Sequence, residues 1–382
     1  MNHKQDKRVG MNLEEIRQLF PITNEFIYLN HAGTGPMTTI AERAIDECIN
    51  IYKKQAEFDI PLYFERIKNA REKVAEIIDA DPEEIAFTHN TSEGIYIALI
   101  NLPLTPGDKI IVMREVFPAV RYVVDYNLPH IEKIYLNFCG KDPVDLIKNH
   151  IDKQVRVVVV DYVQFLSGEM INLKRLNEFL KTREIFLIVD GIQAIGATNF
   201  SVKDIDIDFL ACGAAKWLFG PSGTGFLYVN KRNFNKLKRY HTGWLGADWQ
   251  NFEKFELTPP LFNDARMFEQ GTRNVIGISA FSENCRMLCE IGMNNVEERI
   301  LKLKKRLRDG LRELGIKVIT PEDGPQAGII TIEPEDPRRL YNLLKEHKII
   351  ISLRNNCLRF SPHFYNSEEE IETTLRILKE NT

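Results

Sequence analysis

The stretch that decides the fold runs Ile185-Phe-Leu-Ile-Val-Asp190-Gly-Ile-Gln193 and continues, further on, as Cys212-Gly-Ala-Ala-Lys216-Trp-Leu-Phe-Gly-Pro-Ser-Gly-Thr-Gly225-Phe-Leu-Tyr-Val229. Its first part predicts a strand buried on both faces, because the run of apolar residues is continuous. Asp190 ends that strand, and ligands of open parallel sheets collect at the carboxyl ends of strands. The second part places one lysine among small and apolar residues, just before a glycine-rich turn.

Short β-branched runs alternate with amphipathic stretches on both sides of this segment. Such alternation is typical of βαβ units, and it predicts an α/β fold with a mostly parallel sheet. The predicted strands are 85–88, 109–113, 155–160, 185–189 and 226–229, and the predicted helices include 142–148 and 172–182.

The pattern changes near residue 280, where charged helices bracket short alternating strands. This texture predicts a smaller α+β lobe whose sheet has one exposed face. Its predicted helices are 280–314 and 367–380, and its predicted strands are 317–320, 328–333 and 357–361. We therefore expect an N-terminal segment at 1–25 with a short helix at 11–20, a large cofactor-binding domain at 26–265, and a small C-terminal domain at 266–382.

Composition narrows the function classes. The chain has 382 residues, 44% of them hydrophobic, and a formal net charge of -4 with acids and bases interspersed, which gives no footprint for nucleic acid. The N-terminus is polar and no apolar run reaches membrane-spanning length, so we expect a cytoplasmic protein with no membrane contact. The cysteines lack the spacing of a metal site or a disulfide framework; they are Cys48, Cys139, Cys212, Cys285, Cys289 and Cys357.

Asp190 and Lys216 are the residues that best indicate chemistry. A buried acid can hold a protonated pyridine ring, and a lysine in an apolar setting can form a Schiff base; pyridoxal phosphate chemistry requires both. Each residue also has a plain structural alternative. Asp190 could cap a helix at 191–195, and Lys216 could extend its amine from the edge of an apolar patch.

Two segments are candidates for binding a phosphate. The loop Gly220-Pro-Ser-Gly-Thr-Gly225 precedes a strand, whereas nucleotide-binding glycine loops precede a helix, so we interpret it as a tight turn. The segment Thr88-His-Asn-Thr91-Ser92-Glu93-Gly94 lies between a strand and a helix, where backbone N–H groups and hydroxyls can hold an anion. The same residues could equally form an ordinary helix cap with Glu93 in the first turn.

Three further side chains are candidates for contacts with a flat cofactor. Phe117 follows the predicted strand 109–113, where its ring could stack on the cofactor, although a lone Phe there is more often part of a core. Gln164 and Gln193 could each donate a hydrogen bond to a ring oxygen, or could satisfy backbone groups instead.

Six ordered segments together resemble the class V aminotransferase group of fold-type I pyridoxal phosphate enzymes, which includes cysteine desulfurases, kynureninase and isopenicillin N epimerase-like proteins. The resemblance covers nearly the whole chain, and it implies a large domain with a mostly parallel seven-stranded sheet. The segments are Tyr28-Leu-Asn-His-Ala-Gly-Thr-Gly-Pro36, Thr91-Ser-Glu-Gly94, Val189-Asp-Gly-Ile-Gln-Ala-Ile-Gly196, Lys216-Trp-Leu-Phe-Gly-Pro221, Phe268-Glu-Gln-Gly-Thr-Arg-Asn274 and Leu358-Arg-Phe-Ser-Pro-His-Phe-Tyr-Asn366.

The resemblance also implies roles at the cofactor. Lys216 would form the internal aldimine and move the substrate α-proton, and Asp190 would pair with the pyridine nitrogen. Thr272 matches a threonine that reaches the phosphate from the neighbouring subunit, which implies a homodimer with a shared active site. The remaining cofactor contacts would be made by Thr91 and Ser92 at the phosphate, by Phe117 stacked on the ring, and by Gln193 facing the ring hydroxyl.

On the substrate side, the resemblance implies that Arg359 grips the carboxylate of an amino acid in a bidentate fork, a geometry that suits arginine. We expect the substrate side chain to contact Asn30 and His31 and the segment 240–249, with Trp244. Arg114 or Arg121 could also contact it. The aromatic and basic groups of this set could suit a ring or a second acid group, or could equally pack at an interface. No metal is expected.

Departures from the desulfurase pattern are informative. Gly213 and Ala215 stand where desulfurases usually carry serine and histidine, so two phosphate contacts are missing. The interval from Arg354 to Arg359 is too short for a mobile loop with a nucleophilic cysteine, and Cys357 is expected to be a packed thiol. With Phe117 in place of a histidine, these features favour the kynureninase and epimerase-like branch.

We therefore expect an amino acid enzyme that performs transamination or a related lyase or epimerase reaction. A cysteine desulfurase, a selenocysteine lyase or another carbon-sulfur lyase is the first alternative. A catalytically inactive protein that keeps the fold for binding is the second.

Overall fold

A computed structural model describes residues 12–56, 60–137, 142–249 and 259–381. Cys139 lies outside the described residues. The predicted helix 11–20 is present from Leu13 to Arg17. The strands are β1 (Ile27–Tyr28), β2 (Ile85–Thr88), β3 (Lys109–Met113), β4 (Glu132–Leu136), β5 (Val155–Asp161), β6 (Phe186–Asp190), β7 (Phe209–Gly213), β8 (Gly225–Val229), β9 (Ile330–Ile332), β10 (Ile349–Ile350), β11 (Ser352–Arg354) and β12 (Cys357–Phe360). The α-helices are α1 (Leu13–Arg17), α2 (Thr39–Gln55), α3 (Ile60–Glu76), α4 (Thr91–Ile100), α5 (Pro118–Asn127), α6 (Pro143–Lys148), α7 (Leu173–Lys181), α8 (Val202–Ile205), α9 (Val275–Ile291), α10 (Met293–Glu313), α11 (Pro337–Glu346) and α12 (Glu368–Asn381).

A seven-stranded sheet forms the centre of the molecule, in the order β2-β8-β7-β6-β5-β3-β4. Only β8 runs antiparallel to its neighbours among these strands, so the prediction of a mostly parallel seven-stranded sheet is confirmed. The glycine-rich loop before β8 is the predicted turn, since β7 and β8 pair antiparallel across it. The carboxyl ends of β5, β6 and β7 therefore meet at one edge of the sheet.

The apolar strands form because both faces of the sheet are covered. Six of the seven residues in β5 are buried, as expected for a continuous β-branched run between two helical layers. Helix α4 lies unusually close to the sheet, because a Cβ atom on Gly94 would stand 2.7 Å from the Cβ of Ala211. The glycine thereby brings the first turn of α4 next to the end of β7.

Local sequence patterns missed β4 and β7 and mispredicted two helices. The predicted helix 280–314 divides into α9 and α10 at Gly292, whose φ of +90° favours glycine. The segment 191–195 forms turns rather than the helix that Asp190 was considered to cap. The predicted strand 317–320 is reduced to one bridge, between Val318 and Ile332.

The C-terminal sheet has the order β11-β12-β9, and β1 pairs with β10 beside it. Its apolar core is separate from the main one, and the two divide within α10, between Ile300 and Leu303. The helix α9 packs on α2 and α3 with the main core. The predicted domain boundary at residue 266 stays a prediction, because the two apolar cores divide later in the chain, within α10.

Candidate active site

A cavity of about 460 Å³ opens at the carboxyl ends of β6 and β7, facing the hairpin of β11 and β12. Seven of the predicted site residues share it. Those residues are Thr91, Ser92, Phe117, Asp190, Gln193, Lys216 and Arg359. Distant parts of the sequence therefore converge on one pocket, which is of a size that suits a small ligand.

Asp190 ends β6 and is buried, with 3% of its surface exposed. Its Oδ1 accepts a hydrogen bond from the backbone N–H of Ile192 at 3.0 Å. Asp190 therefore caps a turn and not a helix. Within the part of the chain that the structure describes, Oδ2 has no hydrogen-bond partner and is left for a ligand. Burial raises the pKa of Asp190 to about 6, even though the Ile192 N–H and the charge of Lys216 oppose that rise.

Lys216 follows β7 on a backbone that is held in place from several sides. The carbonyl of Ala215 accepts from the N–H of Gly35 at 2.8 Å, and the carbonyl of Trp217 lies 3.1 Å from Nε2 of His363. The Nζ atom of Lys216 lies 5.4 Å from the centroid of the Phe117 ring. Burial lowers the pKa of Lys216 to about 8, which increases the share of neutral, nucleophilic amine.

Thr91 and Ser92 occupy the first turn of α4, with Asn90 as the N-cap that accepts from the N–H of Glu93 at 3.0 Å. The first N–H groups of a helix have no acceptor within the helix, so they point outward toward an anion. The Thr91 hydroxyl accepts from the N–H of Gly213 at 2.9 Å. A Cβ atom at Gly213 would stand 3.2 Å from that hydroxyl oxygen, which is a tight contact.

Arg359 lies on β12 and is buried, with 2% of its surface exposed. It donates to the carbonyl of Phe165 and to the hydroxyl of Ser352, while its Nε has no partner among the described residues. Burial and the nearby charge of Arg354 lower the pKa of Arg359 to about 10, so it remains a cation at neutral pH. An unpaired buried donor beside a cavity is suited to bind a carboxylate.

Asp161 is a site residue that the sequence patterns did not reveal. It ends β5 directly beside Asp190, in register across the two parallel strands. Its Oδ2 accepts from the backbone N–H of Phe117 at 3.2 Å, and its Oδ1 is buried without a partner among the described residues. Burial and the neighbouring Asp190 raise the pKa of Asp161 well above its ordinary value. The signal that could have found it is an acid at the end of a predicted strand, as for Asp190.

The structure does not bring Asn30 and His31 to the cavity. Both ring nitrogens of His31 are engaged, with Nδ1 2.8 Å from the Ser361 carbonyl and Nε2 2.8 Å from the Tyr365 hydroxyl. Burial lowers the pKa of His31 to about 3. Asn30 accepts from the hydroxyl of Ser352 at 2.5 Å. Both side chains join the N-terminal segment to the C-terminal lobe, and their contact with the substrate stays a prediction.

The two glutamines also hold the protein itself. Gln164 is buried, donates to the Glu115 carbonyl at 2.8 Å and accepts from the N–H of Leu166 at 2.8 Å, so its amide orders the turn that follows it. Gln193 lines the cavity, but it accepts from Nε1 of Trp217 at 3.0 Å and donates to the Ala32 carbonyl at 3.1 Å. Both glutamines therefore form hydrogen bonds with groups of the protein itself in this structure.

Thr272 and Trp244 are exposed and do not line the cavity. Thr272 lines an adjoining depression that shares His89 and Gly223 with the cavity, so it lies close to the cavity mouth. Arg121 is paired with Asp125 at 2.8 Å, and neither it nor Arg114 lines the cavity. The cation that does line it beside Arg359 is Arg354, which the sequence patterns did not single out.

The cysteines of the described chain are buried or half-buried free thiols. Cys357 starts β12, and burial raises its pKa above its ordinary value. A two-residue turn separates it from Arg354, so it lies in a strand and outside the cavity. Its position agrees with the prediction of a packed thiol. In the described residues, no group of three or more acids, histidines and cysteines could hold a metal ion, and no helix is long and apolar enough to cross a membrane.

Comparison with known proteins gives a consistent result. The family model described as Aminotransferase class-V matches residues 27–376. An uncharacterized aminotransferase of Bacillus subtilis is 27% identical, covering 94% of this chain and 95% of that protein, and a probable cysteine desulfurase of Pyrococcus abyssi is 28% identical, covering 96% and 97%. The apo structure of a cysteine desulfurase from Thermococcus onnurineus superposes with a TM-score of 0.85 at 25% identity, covering 96% of this chain and 97% of that one.

Proposed function

The chain belongs to the class V aminotransferase family, and from that premise we propose that it is a pyridoxal phosphate enzyme that acts on an amino acid through Lys216. The observation that carries this proposal is the convergence of Lys216, Asp190 and Arg359 on one cavity. Transamination or a related lyase or epimerase reaction is the reaction class that we assign.

The residues present fit the cofactor. The open Oδ2 of Asp190 suits a protonated ring nitrogen, the first turn of α4 with Thr91 and Ser92 suits the phosphate, and the amine of Lys216 suits the aldehyde. The Phe117 ring, 5.4 Å from the lysine amine, offers an aromatic face. When bound, pyridoxal phosphate supplies an electron sink that stabilises negative charge at the α-carbon of an amino acid.

The protein side chains then account for binding and proton movement. Arg359 would hold the substrate carboxylate, with its unpaired Nε completing a fork, and so fix the orientation of the bonds to the α-carbon. Lys216 lines the cavity, and a pKa of about 8 allows its Nζ to accept and return a proton near neutral pH. Asp190, buried and anionic, would keep the ring nitrogen protonated.

We further propose that the enzyme is a cytoplasmic homodimer. The exposed Thr272 at the cavity mouth supports this proposal, because a partner subunit could place its own Thr272 near the phosphate site. The contacts to phosphate within one chain are few, since Gly213 and Ala215 offer no side-chain donors there. A second subunit would supply the missing donor.

The test is reconstitution of the purified protein with pyridoxal phosphate. A visible absorption band should form, borohydride should shift it and fix the cofactor covalently, and amino acids should perturb it. Lys216→Ala should abolish the borohydride-fixed product, whereas the exposed Lys231→Ala, on the same domain, should leave it unchanged. A protein that stays colourless after incubation with the cofactor would contradict the proposal.

The desulfurase alternative is favoured by the relatives that carry this name, and it makes a different demand on Cys357. Desulfuration through a cysteine of the enzyme needs an accessible thiolate, whereas Cys357 is 7% exposed and lies in a strand. Sulfide release from cysteine that is lost in Cys357→Ser would favour the desulfurase. Amino acid turnover that is unchanged in this variant would favour the proposed function.

A further inference from the structure

The hairpin of β11 and β12 carries two arginines to the cavity. Its turn consists of Asn355 and Asn356, whose φ values of +47° and +58° are those of a tight two-residue hairpin turn. This turn fixes the register, so that Ser352 lies opposite Arg359. Because such a turn leaves no slack, the end of β11 is held at the mouth of the cavity.

Arg354 and Arg359 lie on the same face of this hairpin. Side chains alternate along a strand, so Ser352 and Arg354 share one face, and Arg359 shares it because it is the direct partner of Ser352. Both arginines line the cavity. Arg354 occupies the outer, exposed position and Arg359 the inner, buried one.

Arg354 lacks an acidic partner. Within the described chain it forms no ion pair, and its one hydrogen bond is a long one of 3.5 Å to the carbonyl of the adjacent Leu353. Several other arginines of the C-terminal lobe are paired, as in Arg299 with Glu368 at 2.9 Å and Arg312 with Glu322 at 2.7 Å. Among the described residues, Arg354 therefore has no acidic partner at the position where the lobe borders the cavity.

Arg354 is the cation among the described lining residues to which the proposed function assigns no anion. Asp190 is the sole carboxylate among the described lining residues, and it faces Lys216, Arg354 and Arg359. The proposed function uses Asp190 for the ring nitrogen, Lys216 for the aldehyde and Arg359 for the α-carboxylate. The charge of Arg354 acts unfavourably on Arg359, and an acidic group of the substrate placed at Arg354 would offset that repulsion.

We propose that Arg354 binds an acidic group on the substrate side chain, so that the preferred substrate is an amino acid with a carboxylate or similar acid beyond its α-carboxylate. This inference rests on the proposed function, which assigns the α-carboxylate to Arg359. Arg354 is then the residue that determines specificity, and it replaces Arg114 and Arg121 as the candidate for a second acid group.

The experiment compares acidic and neutral amino acids on the reconstituted holoenzyme. Aspartate and glutamate should perturb the cofactor spectrum at lower concentrations than asparagine and glutamine. Arg354→Gln should weaken the response to the acidic pair by about 10- to 100-fold and leave the neutral pair within about twofold, as expected for loss of a charge-assisted contact. Arg376→Gln, which removes an exposed charge from α12 of the same lobe, should change neither.

A binding measurement provides a readout that does not depend on turnover. Succinate should bind the holoenzyme more tightly than butyrate by calorimetry, and Arg354→Gln should remove that difference. Arg354→Glu should reverse the preference among substrates, toward lysine or arginine side chains. Because Arg354 is exposed, we expect these variants to fold, and thermal denaturation checks that they do.

Two results would overturn the inference. If Arg354→Gln weakens the spectral response to acidic and neutral amino acids equally, Arg354 contacts the α-carboxylate together with Arg359 and does not select the side chain. If succinate and butyrate bind equally to the wild-type holoenzyme, the cavity has no second anion site. A protein that takes up no cofactor and responds to no amino acid would instead contradict the proposed function, which separates the two failures.

Discussion

Two of the sets of buried charged side chains in the described residues differ in whether their charges are satisfied. In the first set, which we call the Glu269 cluster, the Glu269 carboxylate accepts from Arg71, from Arg273 and from the N–H of Phe87 at 2.7 Å. At the cavity, Asp190 keeps one oxygen without a protein partner in the described residues, and so does the adjacent Asp161, which does not line the cavity. The Glu269 carboxylate is paired with two arginines, whereas Asp161 and Asp190 form no ion pair in the described residues.

The pKa values follow this difference. Burial alone would raise the pKa of Glu269, yet the charges of Arg71 and Arg273 hold it below its ordinary value. Burial raises the pKa of Asp190 to about 6 and lowers that of Lys216 to about 8, because neither has a sufficient partner. A charge cluster that stabilises the fold thus satisfies itself, whereas a cluster that binds ligands is left incomplete.

The largest expected effect comes from breaking the Glu269 cluster. Glu269→Gln leaves two buried arginines without their shared anion, and we expect the free energy of unfolding to fall by about 3–5 kcal/mol. Denaturant unfolding measures this change. Glu372→Gln, which removes an exposed partner of Arg306, should cost at most about 1 kcal/mol, and an equal loss in both variants would contradict the distinction.

The pH dependence of that effect has a defined sign. The pKa of Glu269 is lowered by folding, so its stabilising contribution is present above the ordinary carboxyl value of 4.5 and is lost as the pH falls through the folded value. The difference in stability between wild type and Glu269→Gln should therefore be larger at pH 7 than at pH 4.

Asp190→Asn tests the opposite expectation. The amide cannot compensate a protonated ring nitrogen, so kcat/KM should fall by about 10²- to 10³-fold. The unfolding free energy of the cofactor-free protein should change by less than about 1 kcal/mol, because the native carboxylate forms one hydrogen bond and no ion pair in the described residues. A destabilisation as large as that of Glu269→Gln would show that Asp190 is a structural acid.

The smallest effect concerns the protonation of Lys216. With a pKa of about 8, the neutral fraction of its amine increases about tenfold from pH 7 to pH 9 and then levels off. The rate of pyridoxal phosphate incorporation, followed by absorbance, should show this profile. An ordinary lysine would give an increase of about a hundredfold with no plateau, which would contradict the lowered pKa.

Sequence patterns predicted the sheet side of the cavity well. Strands such as β2 and β3 are continuous apolar runs with ends that are easily located, and Asp190 lies at such an end. The first turn of α4 was predicted because Thr91 and Ser92 lie between a strand and a helix. Each of these features depends on residues close together in the sequence.

The other side of the cavity was predicted less completely, because it depends on pairing between distant segments. Arg354 shares a face with Arg359 only through the register of a hairpin, and that register is set by a turn of two asparagines. The inward position of His31 likewise depends on Ser361 and Tyr365, which no local pattern reveals. Asp161 was missed although its strand was predicted, since the strand was expected to end one residue earlier.

The pairing of β1 with β10 has a consequence for the order in which the protein acquires its shape during synthesis. Ile27 pairs with Ile349, so β1 cannot pair with β10 during synthesis until most of the sequence has emerged from the ribosome. The main sheet, complete at β8, can form earlier. We expect the nascent chain to hold the Lys216 side of the cavity before the arginines arrive, and closure of the pocket to be among its last folding events.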